Sequence, residues 1–151
     1  MKKGGSNLIH EDTIKLLREC SAGVRMGLSA LDGVLEKKPS PEISPVLQRA
    51  RRSHEVLGDE IDDALRRFGD EEKNPHPVAA FSSRMKTELR LAAGSDDAAV
   101  ADLLTDGGNM GVKSLNRYLN RYQAADADSR AIARRLSDLE EAMVRDLRAF
   151  L

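Results

Sequence analysis

The sequence predicts an all-α protein, a four-helix bundle, and three observations support this fold class. The chain of 151 residues contains 19 leucines and 18 alanines, against 16 valines, isoleucines and threonines in total, and β-branched side chains lose rotamer freedom in helices. Apolar residues recur at alternating spacings of three and four, the period of an amphipathic helix. A chain of this length suits one domain, which we place at residues 11–151 after a flexible N-terminal tail, residues 1–10.

Composition also excludes several classes of function. The 24 lysines and arginines nearly balance the 25 acidic residues, for a net charge of −1, so we expect neither nucleic-acid nor membrane binding. Cys20 is the single cysteine, which excludes an internal disulfide framework and a cysteine-based zinc site. No segment approaches the roughly 20 apolar residues of a membrane helix, and no signal peptide is apparent. We therefore expect a cytoplasmic protein.

The first helix is predicted from about Glu11 to Lys37. Ser40 is the expected N-cap of the second helix, with Pro41 at its first position. Glu19 falls on the face opposite the apolar stripe of the first helix. The stripe residues are Ile14, Leu17, Ser21, Val24, Leu28, Leu31 and Leu35.

The second helix is predicted to continue to Phe68, with Gly69 as its C-terminal signal. Its apolar stripe contains one histidine, His54. The stripe residues are Ile43, Leu47, Ala50, His54, Leu57, Ile61, Ala64 and Phe68.

Two more long helices and one short helix follow. The short amphipathic helix is predicted over 78–93, and Ser95 is the expected N-cap of a third long helix that ends near Ala124. The fourth begins near Asp126 or Asp128. Its stripe residues are Ile132, Leu136, Leu139, Met143, Leu147 and Phe150.

The connection lengths predict the topology. Short loops join the first helix to the second and the third to the fourth, so each pair forms an antiparallel hairpin. About 26 residues, including the short helix, join the two hairpins. A helix of about 24 residues is about 36 Å long, so this segment can cross the whole length of the bundle. We expect a four-helix bundle with one long crossover.

Three segments carry a resemblance to a known family: Ser21–Val24, Arg49–Gly58 and Gly94–Asp97. With these segments in the same order, residues 13–151 resemble the small, uncharacterised bacterial ferritin-like domains. The resemblance implies the ferritin-like four-helix bundle with a long crossover that contains a short extra helix. Metal-binding members hold their ions with a Glu from each of two helices and a Glu-x-x-His motif from each of the other two.

The metal-ligand positions of that family are degenerate in this chain. Arg51 stands three residues before His54, where the motif needs a glutamate, and the fourth helix has no histidine. The remaining candidate ligands are His54, Asp106 and Glu60. We therefore expect no bound metal, no cofactor and no catalytic residue.

His54 has three interpretations. The favoured one is a buried histidine with a local hydrogen bond; the alternatives are a divergent metal or oxidase site centred on His54, and phosphotransfer. His54–Gly58 resembles the histidine-phosphotransfer domains, which have a glycine four residues after the histidine. Those domains carry a lysine where Leu57 stands, and they need an exposed imidazole.

Glycines inside the first and third helices are costly, by about 0.5–1 kcal/mol each relative to alanine. They are Gly23, Gly27, Gly107, Gly108 and Gly111. We expect the two helices to cross closely near Gly27 and Gly111, where backbone would fill the centre of the bundle. Cys20, beside the apolar stripe, is expected to be a small core residue.

The third helix also carries a candidate binding surface, formed by Arg117, Tyr118, Arg121 and Tyr122. Arginine and tyrosine are common at binding surfaces, although a solvated face explains the same pattern. The leading hypothesis is a non-catalytic, metal-free bundle that acts through protein association. Its partner would be a second copy in a homodimer, or another protein, bound through a helix face.

Overall fold

The computed structural model describes residues 3–69 and 96–151, and these residues form four α-helices. No strand occurs among them, so the prediction of an all-α four-helix bundle is confirmed. The helices are α1 (Lys3–Glu36), α2 (Ser44–Arg67), α3 (Asp97–Arg121) and α4 (Ala127–Leu147), and a short 3-10 helix (Arg148–Phe150) follows α4. The short helix predicted over 78–93 lies outside the described residues.

The start of α1 differs from the prediction. The helix begins at Lys3 rather than near Glu11, so the residues assigned to an N-terminal tail continue the helix from residue 3 onward. Leu8 and Ile9 remain 49% and 48% exposed, and burial therefore does not explain the extension. No proline or glycine lies between Ser6 and Glu11, so nothing interrupts the backbone hydrogen bonds of the helix there.

The ends of α1 and α2 follow the expected signals with small shifts. Lys38, just after α1, adopts a left-handed φ of 53°. The Ser40 hydroxyl accepts a hydrogen bond from the Ile43 N–H at 3.3 Å, as an N-cap does, but the regular helix begins at Ser44. Gly69 has a φ of 71° and ends α2 as predicted, because a residue with a side chain is strained in that conformation.

Aspartates cap the other two helices. The Asp96 carboxylate accepts a hydrogen bond from the Ala99 N–H at 3.0 Å, so Asp96 is the N-cap of α3, the role we predicted for Ser95. The Asp126 carboxylate accepts from the Ser129 N–H at 2.8 Å, which confirms the predicted start of α4. A capping carboxylate satisfies a free N–H group and complements the helix dipole.

Contacts at the two ends of the bundle give the helix directions. Ser40, in the loop that follows α1, donates a hydrogen bond to the Asp97 carboxylate at the start of α3. At the other end, Asp12 of α1 accepts from the Ala124 N–H at 3.0 Å and Thr13 accepts from the Asp126 N–H at 2.9 Å, both just beyond α3. Helix α3 is therefore antiparallel to α1 and parallel to α2, as one long crossover requires.

The core consists of two apolar clusters stacked along the bundle axis. The lower cluster includes Leu17, Ile61 and Leu136, and the upper cluster includes Leu31 and Leu147. In α2, the cluster residues before position 54 belong to the upper cluster and those after it to the lower cluster. In α4, those before position 140 belong to the lower cluster and those after it to the upper cluster. None of the described helices combines the length and the apolar character that a membrane span needs.

Candidate functional site

A buried polar pair lies at the junction of the two apolar clusters. His54 of α2 is fully buried, as we favoured from its place in the apolar stripe. Its Nδ1 lies 2.7 Å from the Ala50 carbonyl, which is the expected local hydrogen bond. Its Nε2 lies 2.5 Å from Oε1 of Glu140 on α4, and Glu140 is only 8% exposed.

The hydrogen bonds define how many protons the pair holds. A carbonyl oxygen only accepts, so Nδ1 carries a hydrogen and donates it to Ala50. One more proton lies between Nε2 and Oε1. Burial lowers the pKa of His54, but the Glu140 carboxylate and the Ala50 carbonyl raise it more, so this pKa lies above its ordinary value. In its protonated form the pair is an imidazolium hydrogen-bonded to a carboxylate, and the raised pKa of His54 extends this form to higher pH.

Glu140 is the functional residue that sequence reasoning missed. We assigned Leu139 to the apolar stripe of the fourth helix, but Leu139 is only half-buried while Glu140 is buried. The sequence spacing also allowed Glu140 in the apolar stripe, because Glu140 follows Leu136 by four residues and precedes Met143 by three. A carboxylate in that stripe was the signal for a buried partner.

Two of the glycines lie directly against the polar pair. A Cβ atom on Gly27 would come within 2.8 Å of Cδ2 and 2.9 Å of Nε2 of His54, so the imidazole occupies the space that a side chain would need. A Cβ atom on Gly111 would lie 3.5 Å from Oε2 of Glu140. The close crossing predicted at these glycines is therefore wrong, because their nearest neighbours belong to α2 and α4.

The glycines instead line a cavity between α1 and α3, with a volume of about 280 Å³. Side chains of α2 and α4 form its floor, including those of His54 and Glu140. Met110, which is 46% exposed, lies at its mouth. The glycines and alanines that line it are Ala22, Gly23, Gly27, Ala30, Gly107, Gly108 and Gly111.

A second polar pair lines the cavity farther along α1 and α3. Tyr118 and Glu19 both line the cavity, and burial together with the charge of Glu19 raises the pKa of Tyr118. The Tyr118 ring stacks on Tyr122 with ring centroids 6.3 Å apart. Glu19 is partly buried in the cavity wall, which corrects its predicted position opposite the packed face.

The other predicted ligands do not join His54. Asp106 is exposed and is not part of the cavity wall. Glu60 accepts two hydrogen bonds from Arg135, at 2.6 and 2.9 Å, and these bonds hold the pKa of Glu60 below its usual range. Within residues 3–69 and 96–151, no group of three or more His, Cys, Asp or Glu side chains could hold a metal ion.

The predicted surface on α3 splits into two layers. Arg117 and Arg121 are exposed, whereas Tyr118 and Tyr122 are half-buried and pack against the lower cluster. The nearby Arg130 donates hydrogen bonds to the Leu119 and Tyr122 carbonyls, at 3.0 and 3.3 Å. Two guanidinium groups of the predicted surface thus face the solvent.

Cys20 is fully buried, as expected for a core residue. Burial, with a smaller effect of the Glu19 charge, raises the pKa of its thiol to about 12. A thiol with such a pKa is protonated at neutral pH and is a poor nucleophile.

Comparison of the chain with family models, with curated proteins and with solved structures gave no match. The resemblance to the ferritin-like domains therefore stays a prediction.

Proposed function

We propose that this protein is a non-catalytic binding protein that holds a small, mainly apolar molecule in the cavity between α1 and α3. The observation that carries this proposal is a cavity of about 280 Å³ with leucine, methionine and glycine walls and a buried polar pair on its floor. Small-molecule sites are typically roughly 300–1,000 Å³, apolar, and equipped with a few fixed polar groups. The cavity is close to the lower end of that range.

Two glycines support the proposal because packing does not require them. A Cβ atom on Gly23 would meet only Leu136, at 3.8 Å, and one on Gly111 would make ordinary contacts with Glu140 at 3.5 Å. Alanine would fit at both positions and would favour the helix by about 0.5–1 kcal/mol. A stability cost without a packing reason is expected where the empty space itself has a use.

The alternative roles of His54 have less support. A phosphotransfer histidine must be reached by another protein, and His54 is fully buried. A metal ligand needs a free nitrogen lone pair, whereas both ring nitrogens of His54 are engaged, by Ala50 and by Glu140. Fixed groups of this kind suit the recognition of a ligand better than either reaction.

The test is a fluorescence titration with the neutral apolar probe N-phenyl-1-naphthylamine. We expect saturable binding to one site and a raised midpoint of thermal unfolding, because the probe binds only the folded protein. The variants Gly23→Leu and Gly111→Leu fill the cavity and should lose binding. Gly23→Ala and Gly111→Ala are the matched controls and should retain it.

Two outcomes would contradict the proposed binding function. If the probe does not saturate a site on the folded protein, or if both leucine variants bind it as well as the parent, the cavity is not a binding site. Circular dichroism of each variant establishes that the helices are present.

Association with another protein, the leading hypothesis from the sequence, stays a separate proposal. The exposed pair Arg117 and Arg121 is its candidate surface. Light scattering of the parent and of an Arg117→Ala/Arg121→Ala variant tests it: a dimer that persists unchanged in the variant excludes this surface as the dimer interface.

A further inference from the structure

We propose that the ligand of the cavity is an elongated apolar amine whose ammonium group is bound by one of the two carboxylates of the cavity wall, that of Glu140 or that of Glu19. This inference rests on the proposed function, because it presumes that the cavity binds a molecule and assigns the chemical class of that molecule. Charge and hydrogen-bonding capacity along the cavity wall carry it.

Apart from His54, the charged side chains of the cavity wall are carboxylates among the described residues. Glu19 and Glu140 both line the cavity, and no lysine or arginine lines it among the residues that the structure describes. A negatively charged ligand would meet these carboxylates in a largely apolar space, where like charges repel strongly. A ligand with a positive charge would be attracted to a carboxylate at either place, Glu19 or Glu140.

The hydrogen-bonding groups of the cavity wall also favour a ligand with an ammonium group. His54 occupies Oε1 of Glu140, while Oε2 points to the α3 side, 3.5 Å from the Cβ position of Gly111. Glu19 is the other carboxylate of the wall, and Tyr118 lies beside it. A carboxylate only accepts hydrogen bonds, and the ligand must therefore bring the donor, which an ammonium group does.

The charge of His54 does not cancel this preference. His54 lines the floor together with Glu140 and offsets the charge of that carboxylate. Among the described residues the wall then holds two carboxylates against one imidazolium, so its net charge is still negative. Glu19 lies farther along the cavity beside Tyr118, which carries no charge, so the negative charge of Glu19 also acts on the ligand.

The spacing of the two carboxylates indicates an elongated ligand. Gly111 lies against Glu140 and Tyr118 lies beside Glu19, and the seven positions from Gly111 to Tyr118 on α3 span about 10 Å. Met26, Met110 and Met143 also line the cavity. Their flexible thioethers adapt to different apolar chains, so the site suits an alkyl or arylalkyl amine.

The experiment compares three probes of equal chain length: octylamine, 1-octanol and octanoate, each competing with N-phenyl-1-naphthylamine at pH 7. We expect octylamine to displace the probe at a concentration at least tenfold lower than 1-octanol, and octanoate to be the weakest. Glu140→Gln and Glu19→Gln should each reduce the ratio between octylamine and octanol. Tyr118→Phe removes a neutral group and should leave the preference for the amine intact.

The outcomes separate the two proposals. Equal displacement by octylamine and 1-octanol overturns the amine assignment while the binding function stands, and stronger displacement by octanoate does the same. An unchanged ratio in the folded Glu19→Gln variant overturns the role of its carboxylate, and this variant keeps the test decisive if Glu140→Gln fails to fold. If N-phenyl-1-naphthylamine itself does not bind, the proposed function has failed first.

Discussion

The Nε2 atom of His54 and the Oε1 atom of Glu140 lie 2.5 Å apart, although 86 positions separate the two residues in the chain. They are the polar contact between α2 and α4 at the level where the two apolar clusters meet. Removing two charged groups from water is expensive, and their attraction offsets this cost only when the geometry is good and other hydrogen bonds are satisfied. Here Ala50 satisfies the remaining nitrogen.

The pair should make stability depend on pH. Its His54 pKa is raised in the folded protein, whereas an unfolded histidine has a pKa of about 6.5. The stabilisation is therefore complete below about pH 6.5 and is lost as the pH rises through the folded value, because only the folded state holds the proton there. We expect the free energy of unfolding to fall by up to about 1.4 kcal/mol per pH unit in that range.

Urea unfolding between pH 6 and 9 measures this slope. A His54→Leu/Glu140→Leu variant provides the control, because it has no proton to release at this site. If the parent and this variant show the same pH dependence, the pair does not hold the proton that we assign to it.

Breaking one half of the pair should cost more than removing both halves. Glu140→Leu leaves the buried His54 nitrogen without a partner, and the loss of one member of a buried ion pair costs about 3–5 kcal/mol. We expect the double variant His54→Leu/Glu140→Leu to regain most of this loss. The neighbouring Glu141 is exposed, so Glu141→Leu should change stability by less than about 0.5 kcal/mol.

Two glycines on α1 should respond in opposite directions to the same substitution. Gly27→Ala brings a Cβ within 2.8 Å of the His54 ring, and overpacking of this kind costs about 1–3 kcal/mol. Gly23→Ala meets only Leu136 at 3.8 Å and should stabilise the protein by about 0.4–1 kcal/mol. Thermal unfolding of both variants measures the contrast, and a stabilised Gly27→Ala protein would show that the imidazole has another place to go.

Cys20 should resist alkylation in the folded protein. Its thiol is fully buried and has a pKa of about 12, so both access and thiolate are lacking. We expect iodoacetamide at pH 8 to modify Cys20 only after urea is added, as measured by mass spectrometry. Rapid labelling without urea would contradict the packing of α1 against the lower cluster.

Much of the fold could be predicted from the sequence because it depends on local signals. The spacing of apolar residues gives four helices, Gly69 and Asp126 mark helix ends through their own backbone chemistry, and the loop lengths give the direction of each helix. The burial of His54 followed in the same way, from its place between Ala50 and Leu57 in a regular stripe.

The candidate site could not be predicted because it depends on how the helices face each other. Helical spacing places Glu140 and Leu139 on adjacent positions, and only the orientation of α4 against α2 decides which is buried. The same applies to Glu19, which lies at the edge of a helix face and reaches the cavity because α1 and α3 leave space there. The cost of the glycines inside the helices could be read from the sequence. Whether they allow a close helix crossing or line a cavity depends on which residues lie next to them in the folded protein.

The end contacts of the bundle have a consequence for folding kinetics. Asp12 and Thr13 bind backbone N–H groups that are 112 and 113 positions away, so these bonds form only after the two hairpins have docked. Interactions absent from the transition state affect the unfolding rate and not the folding rate. We expect Thr13→Val to accelerate unfolding in stopped-flow experiments and to leave the refolding rate unchanged. The hydrogen bonds of Asp12 and Thr13 would then help to set the lifetime of the native state.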